Sequence, residues 1–145
     1  MRDDAYQAMQ TLKSLRQKSK RIEAVQMRIA GCREMATRAT ASMSAANASG
    51  SGNRSKVETA VVSITDLQAQ LEAIVAELRM DRYRIQKAIN GMEDEEQKML
   101  LEYRYIDCMS WGMVMEHMHI SRPTSYRLHM RALINFHAAY KYETS

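Results

Sequence analysis

Apolar residues recur along the first third of the chain in alternating steps of three and four. Leu12, Leu15, Ser19, Ile22, Val25/Gln26, Ile29 and Ala36 mark one stripe, with Lys13, Arg16, Lys20, Arg28 and Arg38 between its positions. This spacing predicts a long amphipathic helix from residue 6 to about residue 43, with the seam of a coiled coil. Small and polar residues follow at 45–53, including Gly50 and Gly52, and predict a linker at about 46–55. The stripe resumes in Val57, Val61, Ile64, Leu67/Gln68, Leu71, Ile74/Val75, Leu78, Ile85, Ile89 and Met92. A second long helix is therefore predicted over about 56–92, with Asn90-Gly91 supplying a glycine stop. Two matching stripes joined by a short polar stretch can close on each other as an antiparallel hairpin, or pair with another chain.

After Gly91 the pattern shortens. Residues 93–106 predict a helix with Met99, Leu100, Tyr103 and Ile106 on one face and four acidic residues in its first turn, where the helix dipole favours them. Residues 107–110 form a turn, and Ser110 is placed to cap a two-turn helix over 111–118. A second turn, 119–121, ends in Ser121, which caps a last helix opening at Arg122-Pro123 and running to about residue 139. In that helix Ser125, Leu128, Ala132, Leu133 and Phe136 form the packing face. Arg122, Thr124, Tyr126, Arg127, His129 and Arg131 would face outward. The predicted fold class is all-α. A long helical hairpin or coiled coil over residues 1–92 precedes a three-helix helix-turn-helix module over 93–140.

Composition agrees: Ala, Met, Leu, Gln, Glu, Lys and Arg dominate, while the 145 residues contain only five Gly and one Pro. The net charge of +4 hides a strong asymmetry. Residues 1–46 hold nine basic and four acidic groups, and residues 47–92 hold six and five. Residues 93–118 then hold two and seven, and residues 119–145 four and one. A basic tail behind an acidic segment suits a polyanionic partner more than the total suggests. Cys32 and Cys108 have neither CxxC spacing nor a histidine cluster, so both are expected reduced and packed. No long apolar run predicts a membrane span, and Met1-Arg2-Asp3-Asp4 opens no secretory signal. His117, His119, His129 and His137 do not converge at helical spacing, so no metal is expected. Phosphate loops, GxSxG and Cys/His nucleophile pairs are missing from the sequence, so neither enzymatic activity nor a cofactor is expected. Trp111 is expected as an anchor between the first two helices of the module.

The segment 101–136, LEYRYIDCMSWGMVMEHMHISRPTSYRLHMRALINF, resembles the region-four helix-turn-helix of bacterial sigma factors. The whole chain resembles small phage or prophage regulators with such a module, in the style of the RinA and ArpU late-gene activators. The resemblance implies sequence-specific binding of double-stranded DNA and transcriptional activation with host RNA polymerase, in the cytoplasm of a bacterial host. It further implies base or phosphate contact by Arg122, Tyr126 and Arg127, backbone contact by Arg131, and approach of Ser110 and Trp111 to a phosphate; Thr124, on the same outward face, is a further candidate DNA contact. Pro123 stands where sigma factors carry a base-reading acid, and Thr124 and Tyr126 where they usually carry arginines. A consensus −35 element is therefore not the expected target. The long helices are expected to make a homodimer or higher homo-oligomer. Two other classes share the pattern: a DNA-packaging recognition subunit of the small-terminase kind, forming a ring, and a coiled-coil interaction adaptor that binds no DNA.

Overall fold

A computed structural model describes residues 2–46 and 50–145. Among these the elements are α1 (Arg2–Ala46), α2 (Gly50–Asn90), α3 (Glu95–Leu101), α4 (Trp111–Met118) and α5 (Arg122–Thr144). A π-helical turn, Glu102–Ile106, continues α3. The architecture is all-α, with α1 and α2 forming a helical hairpin, one of the two pairings that the matching stripes allow. The linker expected at 46–55 is largely helix: Ala46 ends α1 and residues 50–55 open α2, while 47–49 lie outside the described residues. Alanines favour continuation of α1.

The chain divides into two compact units, Met1–Lys18 with Leu78–Ser145, and Ser19–Glu77. In the first, one hydrophobic cluster joins Ala5, Ala8, Leu12 and Leu15 of α1, Ile85, Ala88 and Ile89 of α2, and Leu100, Leu101, Tyr105, Val114, Leu133 and Phe136. Removing these side chains from water is the main stabilising term, at about 1.5–3 kcal/mol for each fully buried large one. This core runs across residue 92, so the three short helices share it with the ends of the long ones. Polar clamps surround it: Lys18 pairs with Asp81, Lys87 with Glu143 at 3.1 Å, and His137 Nε2 lies 3.4 Å from Asp4 Oδ1. The last two involve the end of α5, which continues to Thr144 and not to about residue 139.

In the second unit, residues 19–46 and 50–77 run antiparallel. Arg28, Gly31 and Cys32 lie across a groove from Ser63, Asp66 and Leu67. Val25, Ile29, Ala39 and Ala60 are buried there, whereas Ile22, Ala36, Ile64, Leu67, Leu71, Ile74 and Val75 are only half-buried. Val61, expected in the seam, is exposed, and its neighbour Ala60 turns inward.

Three further expectations are corrected. Met99 is 41% exposed, and the buried row of α3 is Gln97, Leu100 and Leu101. Gln97 can occupy a core position because its Oε1 accepts a 2.7 Å hydrogen bond from Asn135 Nδ2. Helix α3 starts at Glu95, so of the four acidic residues only Glu95 and Glu96 lie in its first turn; Asp94 caps it by accepting from Gln97 N at 3.0 Å. Gly91 follows Asn90, the last residue of α2, as the glycine stop requires; its φ is not positive, and its N–H bonds Lys87 O and Ala88 O. Both cysteines are free. Cys32 is half-buried, but Cys108 is exposed, in a left-handed turn with φ 56°. Among the described residues no helix is long and apolar enough to cross a membrane.

Candidate nucleic-acid interface

Helix α4 begins where predicted. Ser110 Oγ accepts from Met113 N at 3.3 Å, which satisfies one of the first-turn donors that have no partner inside the helix. The helix closes on a Schellman arrangement: Ile120 N bonds Met115 O at 3.1 Å and His119 N bonds Glu116 O at 3.3 Å. His119 supplies the left-handed residue, with φ 55° and ψ 47°, where glycine is usual. Ser121 then caps α5, accepting from Thr124 N at 3.4 Å while its hydroxyl donates to Thr124 Oγ1 at 2.9 Å. A short helix, a left-handed corner and a capped long helix follow one another in the order of a helix-turn-helix.

Ser125, Ala132, Leu133 and Phe136 of α5 are buried and Leu128 is half-buried, as the packing face requires. Arg122, Thr124, Tyr126, Arg127 and Arg131 are exposed, with Tyr126 at 68%. They fall on two ridges. Thr124, Arg127 and Arg131 follow at steps of three and four and share one side of the helix; Arg122 and Tyr126, four apart, share another. From Arg122 to Tyr142 the helix carries no acidic residue, and among the described residues none of the three arginines has an ion-pair partner. Thr124 is the exception among the expected contacts, because its hydroxyl oxygen already accepts from Ser121. Ser110 is exposed; its oxygen is used by the cap, and its hydroxyl proton remains able to donate.

His129, expected outward, turns inward. Its Nε2 lies 2.8 Å from Tyr105 OH, its ring stacks on Tyr105, and it meets Trp111 edge-on at 4.6 Å between ring centroids. Burial, then the charges of Arg104 and Lys13, push its pKa down to about 4, and burial pushes Tyr105 up to about 12. Both groups are therefore uncharged near neutrality. Trp111 is half-buried, with the Arg104 guanidinium 5.0 Å from its ring centroid. Arg104 also donates to Met109 O at 2.9 Å, fixing the turn that leads into α4. The sequence pattern does not single out Arg104. The signal it offered was a lone cation between Tyr103 and Tyr105 just ahead of Trp111.

Among the described residues, no three His, Cys, Asp or Glu side chains come together as a metal-binding group. No curated protein and no solved structure matches the chain. One family matches residues 37–137, a span that takes in most of the hairpin, all of α3 and α4, and α5 through His137. That span covers well over half of the sequence, and the chain belongs to the family described as a protein of unknown function, DUF1492.

Proposed function

We propose that the protein is a sequence-specific double-stranded DNA-binding transcriptional regulator, phage-encoded and activating, that works with host RNA polymerase. The observation that carries this reading is the exposed face of α5, where Arg122, Arg127 and Arg131 stand without a counter-charge on a helix whose start is capped and braced by α4. Unpaired arginines on the second helix of such a motif suit guanine edges and phosphates, which arginine bonds bidentately. The protein acts as a homodimer or higher homo-oligomer through its long helices, in the cytoplasm of the bacterial host. The half-buried seam of Ser19–Glu77, with Met27, Met35, Val61 and Val62 exposed on its helices, supports that part of the reading.

The test is affinity for genomic fragments and for scrambled duplexes at several salt concentrations. Arg127→Ala is expected to cost about 1–3 kcal/mol on the preferred fragment and much less on scrambled DNA. Arg131→Ala is expected to weaken both alike and lower the salt slope by about one. No salt-dependent binding to any duplex would leave the interaction adaptor as the reading. A ring-sized mass in solution would favour the packaging subunit.

A further inference from the structure

A cleft of about 320 Å³ opens between α4 and α5, lined by Trp111, Met115, Arg122, Ser125, Tyr126 and His129. Aromatic faces and a thioether make up most of its wall. Two of its polar atoms are engaged inside the fold: Ser125 Oγ donates to Arg122 O at 2.7 Å, and His129 Nε2 is bonded to Tyr105. The floor therefore offers mainly ring faces and sulfur contact. Cations gather around it, and none of the residues that line it is acidic. Arg122 lines the cleft, Arg104 is stacked on Trp111, and the positive charges of Arg104 and Lys13 are felt at His129.

We propose that this cleft binds a small planar aromatic carboxylate, with its ring against Trp111, Met115 and Tyr126 and its carboxylate on the Arg122 guanidinium. The volume lies at the lower end of the range that takes small molecules, which limits the occupant to one or two rings. A flat ring matches the aromatic walls, and a single carboxylate matches the guanidinium fork, the one charged group lining the cleft. Arg122 and Tyr126 also belong to the DNA-facing ridge, so an occupant in the cleft competes with the duplex. That competition rests on the proposed DNA-binding function; the binding itself does not.

Trp111 is the only tryptophan in the chain, so its indole N–H gives a single signal in a nitrogen–proton NMR spectrum. The full-length protein is titrated with cinnamate, with cinnamyl alcohol as the uncharged ring and acetate as the charge without a ring. Cinnamate is expected to shift the indole signal saturably, the alcohol to bind about tenfold more weakly, and acetate to leave the signal in place. Arg122→Gln, an exposed substitution, is expected to weaken cinnamate about tenfold and leave the alcohol unchanged. A signal unmoved by millimolar cinnamate, an alcohol as tight as the acid, or an unchanged Arg122→Gln titration overturns the site. Displacement of a bound duplex by cinnamate is then measured separately. Shifts in the indole signal without any DNA binding by the protein would overturn the DNA reading and keep the cleft.

Discussion

His129 lies on the helix that presents arginines to solvent, yet its ring belongs to the core, between Tyr105 and Trp111. Its depressed pKa has a consequence for stability. The unfolded chain binds the proton near pH 6.5 and the folded chain only near pH 4, so the folded state is fully favoured above pH 6.5 and loses stability as pH falls toward 4. The loss amounts to roughly 2–3 kcal/mol over that window. Denaturant midpoints followed against pH should therefore fall more steeply from 6.5 to 4 in the natural protein than in His129→Gln; parallel curves would show that the histidine does not titrate there. A second residue carries backbone strain. His119 holds a left-handed conformation that costs an L-residue on the order of 1 kcal/mol, and His119→Gly is expected to raise the melting temperature by about 2–4 °C. An unchanged or lower melting temperature would mean that the imidazole makes up the difference. Both serine caps were legible in the sequence, because a hydroxyl before a helix has one obvious use. His129 was not, although it sits four residues after buried Ser125, because a histidine at a packing position reads as polar until its partner Tyr105 is in view.

At the scale of the element, α4, the start of α5 and the packing face of α5 were readable from the spacing of Ser125, Ala132, Leu133 and Phe136. The boundaries of α3 were not. Its core row includes a glutamine whose bond to Asn135 spans 38 positions, and its end loosens into a π-helical turn that no local pattern announces. The start of α5 allows stability and DNA binding to be separated. Ser121→Ala removes the acceptor for Thr124 N and is expected to cost about 1 kcal/mol in unfolding free energy. Ser121→Asp keeps a capping oxygen and adds charge favoured by the helix dipole, so stability should return to at least the natural level. On the proposed function the same aspartate stands beside Arg122 at the DNA face, and affinity for any duplex should drop. Equal affinity in the natural and aspartate proteins would place the start of α5 away from the phosphates.

For the whole molecule, hydrophobic spacing announces two long helices and three short ones, but not that the short ones lack a core of their own. That information lies in contacts between positions near 5–15 and 85–136, and such long-range pairing leaves no periodic trace in the chain. The natural unit is Met1–Lys18 with Leu78–Ser145, and two shortened proteins distinguish it from a module that starts at residue 93. A fragment of residues 93–145 loses Leu12, Leu15, Ile85 and Ile89, all nearly or fully buried, together with four smaller or partly exposed core members. At about 1.5–3 kcal/mol for each of those four large side chains, the loss is about 6–12 kcal/mol, comparable to the roughly 5–15 kcal/mol that holds a typical domain folded. Circular dichroism should show that fragment mostly unfolded, with no cooperative melt. Replacing Ser19–Glu77 by a short Gly-Ser linker keeps every residue of the cluster and also the Lys18–Asp81 pair beside the cut. This version should melt cooperatively and keep the Trp111–His129 contact, visible as a dispersed indole signal. If the long helices also carry self-association, it should be monomeric and bind DNA more weakly than the full chain, since linked modules gain from effective concentration. A cooperative melt in the 93–145 fragment would show that the short helices fold without the long ones; a dimer formed by the shortened unit would move the oligomer interface out of Ser19–Glu77.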